Sequence, residues 1–280
     1  MRRTEFRVRM RVRLTVCAIA AVALALIAPN SVWAMDRLSE RTAVAEIIQQ
    51  IRRADYEGDR PELKQRYAEL EKYTTNTEIA SRVRYWRGFA LWRRVINGFN
   101  DGVNWKEQEK DLLLAMDEFK EANRLDATFV DAKAGAASCT GYLLYLNMKN
   151  ADRFRELIGE LKPVYKELEA EAPRNPRVLW VLGPAAWSTP ADVGGGQEIA
   201  MARYQKGLDA VKAQKVNSAD PLEPTWGEPE LLMNLAWSNL NKTAPDLAEA
   251  EHYARAALKM VPNWHYVRDI LLPKIVEARK

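Results

Sequence analysis

What most constrains this chain is the regular interruption of its helical periodicity. Beyond residue 36, apolar residues recur at helical spacing almost everywhere. No run of alternating β-branched residues bounded by turn pairs marks a strand. The interruptions predict helices over 37–54, 61–73, 77–98, 105–125, 128–147, 151–172, 175–188, 197–213, 228–241, 245–260 and 263–278. Gly58-Asp59 supplies a helix stop and then an N-cap, and Pro61 suits a first turn. Asn97-Gly98 and Asp101-Gly102 mark a turn. Pro173-Arg174-Asn175-Pro176 forbids continuation of the sixth helix, and Pro262-Asn263 separates the last two. Pro163 is expected to kink or split the sixth helix. The reading is an all-α chain of five successive helical hairpins followed by a C-terminal capping helix.

A chain of 280 residues can bury a core without disulfide or metal staples, and 48% hydrophobic content excludes the disordered classes. The net charge of +4 comes from the N-terminus. Residues 1–34 hold six of the 42 basic residues and one of the 38 acids, leaving 36 against 37. That balance excludes the persistent basic surface a nucleic-acid binder needs.

Met1 to Arg13 is arginine-rich, and Leu14 to Ile27 is apolar apart from Thr15. Pro29-Asn30 breaks the run, and Val32-Trp33-Ala34 offers small residues at the positions a signal peptidase reads. The expectation is a signal peptide cleaved after Ala34 and a periplasmic or secreted mature chain. The run falls short of the roughly 20 apolar residues of a spanning helix, so a retained anchor is the lesser alternative. Cys17 stands at the start of the run, where lipidation does not use it, and Phe6 is one place late for a twin-arginine signal. Cleavage would leave Cys139 as the one cysteine, flanked by Ser138 and Thr140, which reads as a small buried filler.

Small residues recur on the second helix of successive hairpins. Ala250, Ala254, Ala257 and Pro262 stand at one spacing, and Ala115, Phe119 and Ala122 repeat it with Asp126 near the proline's place. Ala200, Tyr204 and Gly207 form a weaker copy, while Leu179-x2-Leu182-Gly183 and Leu232-x2-Leu235-Ala236 keep a small residue on first helices. This pattern resembles the tetratricopeptide repeat, most clearly over 77–126, 175–213 and 228–262. The resemblance implies a right-handed solenoid of antiparallel helix hairpins, one domain over 35–280, whose first helices line a concave face. The long helices, the loop at 189–197 and the crossover at 214–228 depart from regular stacking.

Candidate binding residues follow from composition and place. Trp86, Trp180 and Trp237 lie on first helices, and Trp187 and Trp226 stand near them. Tryptophan on a concave face supplies anchors for a partner, although core packing is the plainer use of any one of them. Gly194, Gly195 and Gly196 precede a helix, where free N–H groups can bind an anion. The lysine of a phosphate loop is missing there, so a tight turn is the plainer reading. Asp220 to Glu230 is carboxylate-rich without the alternation of a calcium loop and reads as a crossover strapped down by Trp226. His252 and His265 lack a second ligand at metal spacing, and no nucleophile elbow or Cys–His pair occurs.

The expectation is therefore an exported adaptor without catalysis, metal or cofactor, binding a protein or peptide partner in the cell envelope through its concave face. The alternative is a periplasmic accessory of a TRAP-type solute-uptake transporter, holding a small apolar ligand in an aromatic pocket. That alternative rests on resemblance in the irregular hairpins and glycine-rich insertion.

Overall fold

A computed structural model describes residues 38–213 and 220–280. The leader expected over 1–34 lies outside the described residues. Residues 38–44 belong to an N-terminal unit and are helical; Ala45–Lys280 forms the second unit, treated from here on.

Helix α1 covers 45–57 and ends at Gly58, whose φ of +76° suits glycine. Asp59 accepts the Glu62 N–H and starts α2 (Arg60–Glu69), which tightens into a 3-10 turn over Leu70–Tyr73. Then come α3 (Ala80–Asn100), α4 (Trp105–Leu125), α5 (Val130–Leu146) and α6 (Ala151–Glu171). They are followed by α7 (Pro176–Ser188), α8 (Gln197–Ala213), α9 (Glu228–Asn241) and α10 (Leu247–Met260). A π-type stretch (Tyr266–Leu271) leads into α11 (Leu272–Ala278). Among the described residues there is no strand.

Side-chain oxygens of Asn104, Asn150, Asn175 and Asp246 start α4, α6, α7 and α10 by accepting orphan N–H groups of the first turn. Two expectations need correction. Asn97-Gly98 lies inside α3, and the turn follows it at Asp101-Gly102, where the Gly98 carbonyl accepts from Asp101 and Val103. The last predicted helix opens with a wider π-type turn. Pro163 lies within α6 without splitting it.

Neighbouring helices run antiparallel, as their paired contacts show. Across α3 and α4, Ser81 bonds the Ala122 carbonyl while Arg94 pairs with Asp111. Across α4 and α5, a Cβ on Gly135 would meet Phe119, and Asn147 reaches Glu109. Across α5 and α6, Lys133 bonds Glu171 while Gly141 faces Tyr165. Gly207 faces Leu231 and Gln197 accepts from Thr243 across α8 and α9. In addition, α3 packs on α5, α5 on α7 and α7 on α9, so these alternate helices lie parallel.

The recurring small residues are helix contacts. Ala115, Ala122, Ala200, Ala250, Ala254 and Ala257 are all fully buried. A Cβ on Gly88 would come 3.0 Å from Phe119, and one on Gly183 would overlap the Tyr204 ring. Glycine here buys close approach of two backbones rather than a special dihedral.

Two cores result. Tyr85, Trp86, Phe89 and Trp92 of α3 meet Phe119, Phe129, Trp180 and Trp226, with ring centroids 5.0–6.3 Å apart. Each such ring contributes on the order of 3 kcal/mol through burial. The other core gathers Ala236, Ala250, Ala254 and Ala257 with Tyr56, Trp264, Val267, Leu271 and Ile275.

Candidate functional site

Because α3, α5, α7 and α9 are parallel, their N-terminal ends share one side of the unit and their C-terminal ends the other. The two ends differ.

The N-terminal ends are sealed by the chain itself. The Trp86 indole donates to the Leu222 carbonyl at 2.7 Å, and the Trp226 indole donates to the Tyr85 hydroxyl at 2.7 Å. Arg82 bridges Glu223 at 2.7 Å and Asp126 at 2.6 Å. Arg177 at the start of α7 pairs with Asp131 near the start of α5 at 2.5 Å, and it also donates to the Trp226 carbonyl. The described part of the crossover, 220–227, is thus held across α3 and the start of α7. Burial raises the Tyr85 hydroxyl well above its ordinary value, with Asp131 adding to the shift, so it stays protonated.

The C-terminal ends carry aromatic rings that are only partly covered. Phe99 of α3 stacks on Tyr142 of α5 at 5.5 Å and meets the exposed Tyr145 edge-on at 5.4 Å. Trp187 of α7 meets Trp237 of α9 edge-on at 5.1 Å, and Trp237 is 37% exposed. Tyr204 of α8 packs its ring against Gly183 of α7, one turn before Trp187. Burial pushes Tyr142 up to about 12 against the opposing field of Arg93, with Cys139 and Tyr266 adding to the rise. Burial likewise raises Tyr165 and Tyr204. At neutral pH the Tyr142, Tyr165 and Tyr204 hydroxyls therefore keep their protons.

The five tryptophans named from sequence divide between the ends. Trp187 and Trp237 come together on the rim. Trp86, Trp180 and Trp226 are 1%, 4% and 5% exposed and pack ring against ring in the first core, so an open face made of them is absent. The reason is the crossover, which closes over the part of α3 and α7 where they stand. Trp226 does strap the crossover, as its place in the segment predicts.

The glycine loop offers no anion cradle. Gly194, Gly195 and Gly196 donate their N–H groups to the carbonyls of Ala191, Pro190 and Ala186 at 3.2, 3.0 and 2.8 Å. Gly194 and Gly196 have φ of +90° and +111°, the conformational need that glycine meets. Cys139 is buried and its thiol is held protonated. Among the described residues, no group of three or more His, Cys, Asp or Glu side chains is placed to hold a metal ion. No described helix is long and apolar enough to cross a membrane.

Phe99, Tyr142 and Tyr145 were missed in the sequence. Their signal is spacing: Phe99 follows Trp92, and Trp187 follows Trp180, by two helical turns, which puts each pair on one stripe.

No family model matches the chain, and neither a curated protein nor a solved structure matches it.

Proposed function

We propose that this protein is an exported, non-catalytic adaptor built as a tetratricopeptide-like solenoid, binding a protein or peptide partner in the cell envelope. Its leader is removed after Ala34. The solenoid reading is supported by one contact made three times. A small residue on a first helix receives the second: Gly88 against Phe119, Gly183 against Tyr204, and Ala236 in the cluster of Ala250, Ala254 and Ala257. The pairing of alternate helices α3, α5, α7 and α9 supports it as well.

The observation that carries partner binding is the rim, where Trp187 packs on the exposed Trp237 and Phe99 on Tyr142 and Tyr145. Rigid rings that keep solvent contact while already packed on each other are the usual anchors of protein recognition. An extended peptide running the whole length of the first helices is disfavoured, since the crossover holds their N-terminal part. The partner engages the C-terminal ends instead.

A second reading has one observation of its own. The indole nitrogens of Trp92 and Trp180 are buried without a hydrogen-bond acceptor, two turns below Phe99 and Trp187. A small apolar ligand with an accepting oxygen, entering at the rim, would satisfy them. This is the transporter-accessory alternative.

Capture from envelope extracts, with wild type beside the Trp187→Ala/Trp237→Ala double variant, tests the proposal. A partner recovered by wild type and reduced about tenfold or more with the variant supports it. Undiminished capture by a folded variant refutes the rim as the docking surface. Native mass measurement of the purified chain decides the second reading: a retained small mass favours it, and the bare mass of 35–280 rejects it.

A further inference from the structure

The junction of α1, α3 and α9 holds charged groups that the partner-binding reading does not use. Asp55, Arg93 and Glu230 are 1%, 2% and 0% exposed, and Asn97 is buried beside them. Arg93 Nε donates to Asp55 Oδ1 at 2.7 Å, and Asn97 Nδ2 donates to the same oxygen at 3.1 Å and to the Asp55 carbonyl at 3.0 Å. The Tyr56 hydroxyl donates to Glu230 Oε1 at 2.8 Å, and the Gly227 N–H donates to Oε2 at 2.8 Å. Glu230 thereby caps α9 and ties it to α1. Arg93 Nη1 is buried with no acceptor.

Asp55 pairs with the Arg93 guanidinium away from water, and the Glu230 carboxylate lies near enough for its charge to act on both. With all three ionised the junction carries an excess negative charge, and a buried unbalanced charge is costly. Proton uptake is the simplest relief. We propose that the Asp55–Arg93–Glu230 cluster is a proton-sensitive clasp, in which uptake of one proton tightens the junction of α1, α3 and α9.

The sign follows from linkage. Burial holds the Asp55 carboxyl above its ordinary value and Glu230 adds to this, while Arg93 and Asn97 oppose it. Between the unfolded value near 4 and the raised folded value, the folded chain binds more protons, so stability grows as pH falls through that window. The other groups around the cluster are Tyr56, held well up by burial and by Glu230, and Tyr85 and Tyr142, which sense the Arg93 charge. His265 packs on Gly58 at the end of α1 and bonds Asp269 at 2.8 Å. It is unchanged in every variant below, so whatever it contributes is common to all the curves.

The test is hydrogen exchange on the full chain from about pH 7 to about pH 4.5, corrected for intrinsic rates, reading peptides from α1 and α9. Wild-type protection is expected to rise about threefold or more on acidification, Asp55→Asn to be flat, and Arg93→Met to rise more steeply. Glu230→Gln removes the same charge and flattens the curve too, which covers the case where Asp55→Asn fails to fold. Wild-type protection that falls on acidification, or superimposable profiles for wild type and the neutralised variants, overturns the proposal.

Discussion

The two ends of the parallel helices α3, α5, α7 and α9 are made from the same kinds of residue and meet opposite fates. At the N-terminal ends Trp86, Trp180 and Trp226 are interior, closed over by the crossover. At the C-terminal ends Trp187 and Trp237 stay partly in water, as do Phe99, Tyr142 and Tyr145. Tryptophan on a first helix therefore has no fixed meaning. Its position along the helix, relative to where another segment crosses, decides whether it supplies stability or recognition.

Substitutions should separate the ends, and the largest effect belongs to the sealed one. Trp226→Ala removes a ring that meets Phe89, Trp92 and Trp180 and donates to Tyr85. The expected loss is about 3–5 kcal/mol in urea unfolding, from the cavity left and the orphaned hydroxyl. A loss below about 1 kcal/mol would mean that the crossover does not close the core.

A middle-sized effect probes what both ends share. A Cβ on Gly207 would stand 2.8 Å from Leu231, so Gly207→Val should cost about 1–3 kcal/mol by overpacking α8 against α9. Unchanged stability would show that the helices can separate there.

The smallest stability effect is expected at the open end. Trp237→Ala should change unfolding by less than about 1 kcal/mol, since the ring is 37% exposed. Its measurable consequence belongs in partner capture. A large destabilisation would move the rim into the core and erase the contrast.

Helix number, most boundaries and the close-packed small residues were legible because they depend on short-range spacing. Ala250, Ala254 and Ala257 lie one turn apart, and Asn175-Pro176 announces its own helix start. The rim was half legible, through Trp187 and Trp237. What stayed hidden is long-range. Nothing local to Tyr85 or Trp86 signals that residues 222–226 will cover them, and nothing near Asp55 signals Glu230. Asn97-Gly98 was misjudged because the Asn97 amide bonds Asp55 rather than shaping a turn.

The crossover also has a kinetic consequence. Tyr85 and Trp226 are 141 positions apart in sequence, so their hydrogen bond closes a very long loop. Contacts of that span form late and slow the search for the native state. Synthesised from its N-terminus, the chain lacks the carbonyl that takes the Trp86 indole and the indole that bonds Tyr85 until residues 222–226 emerge.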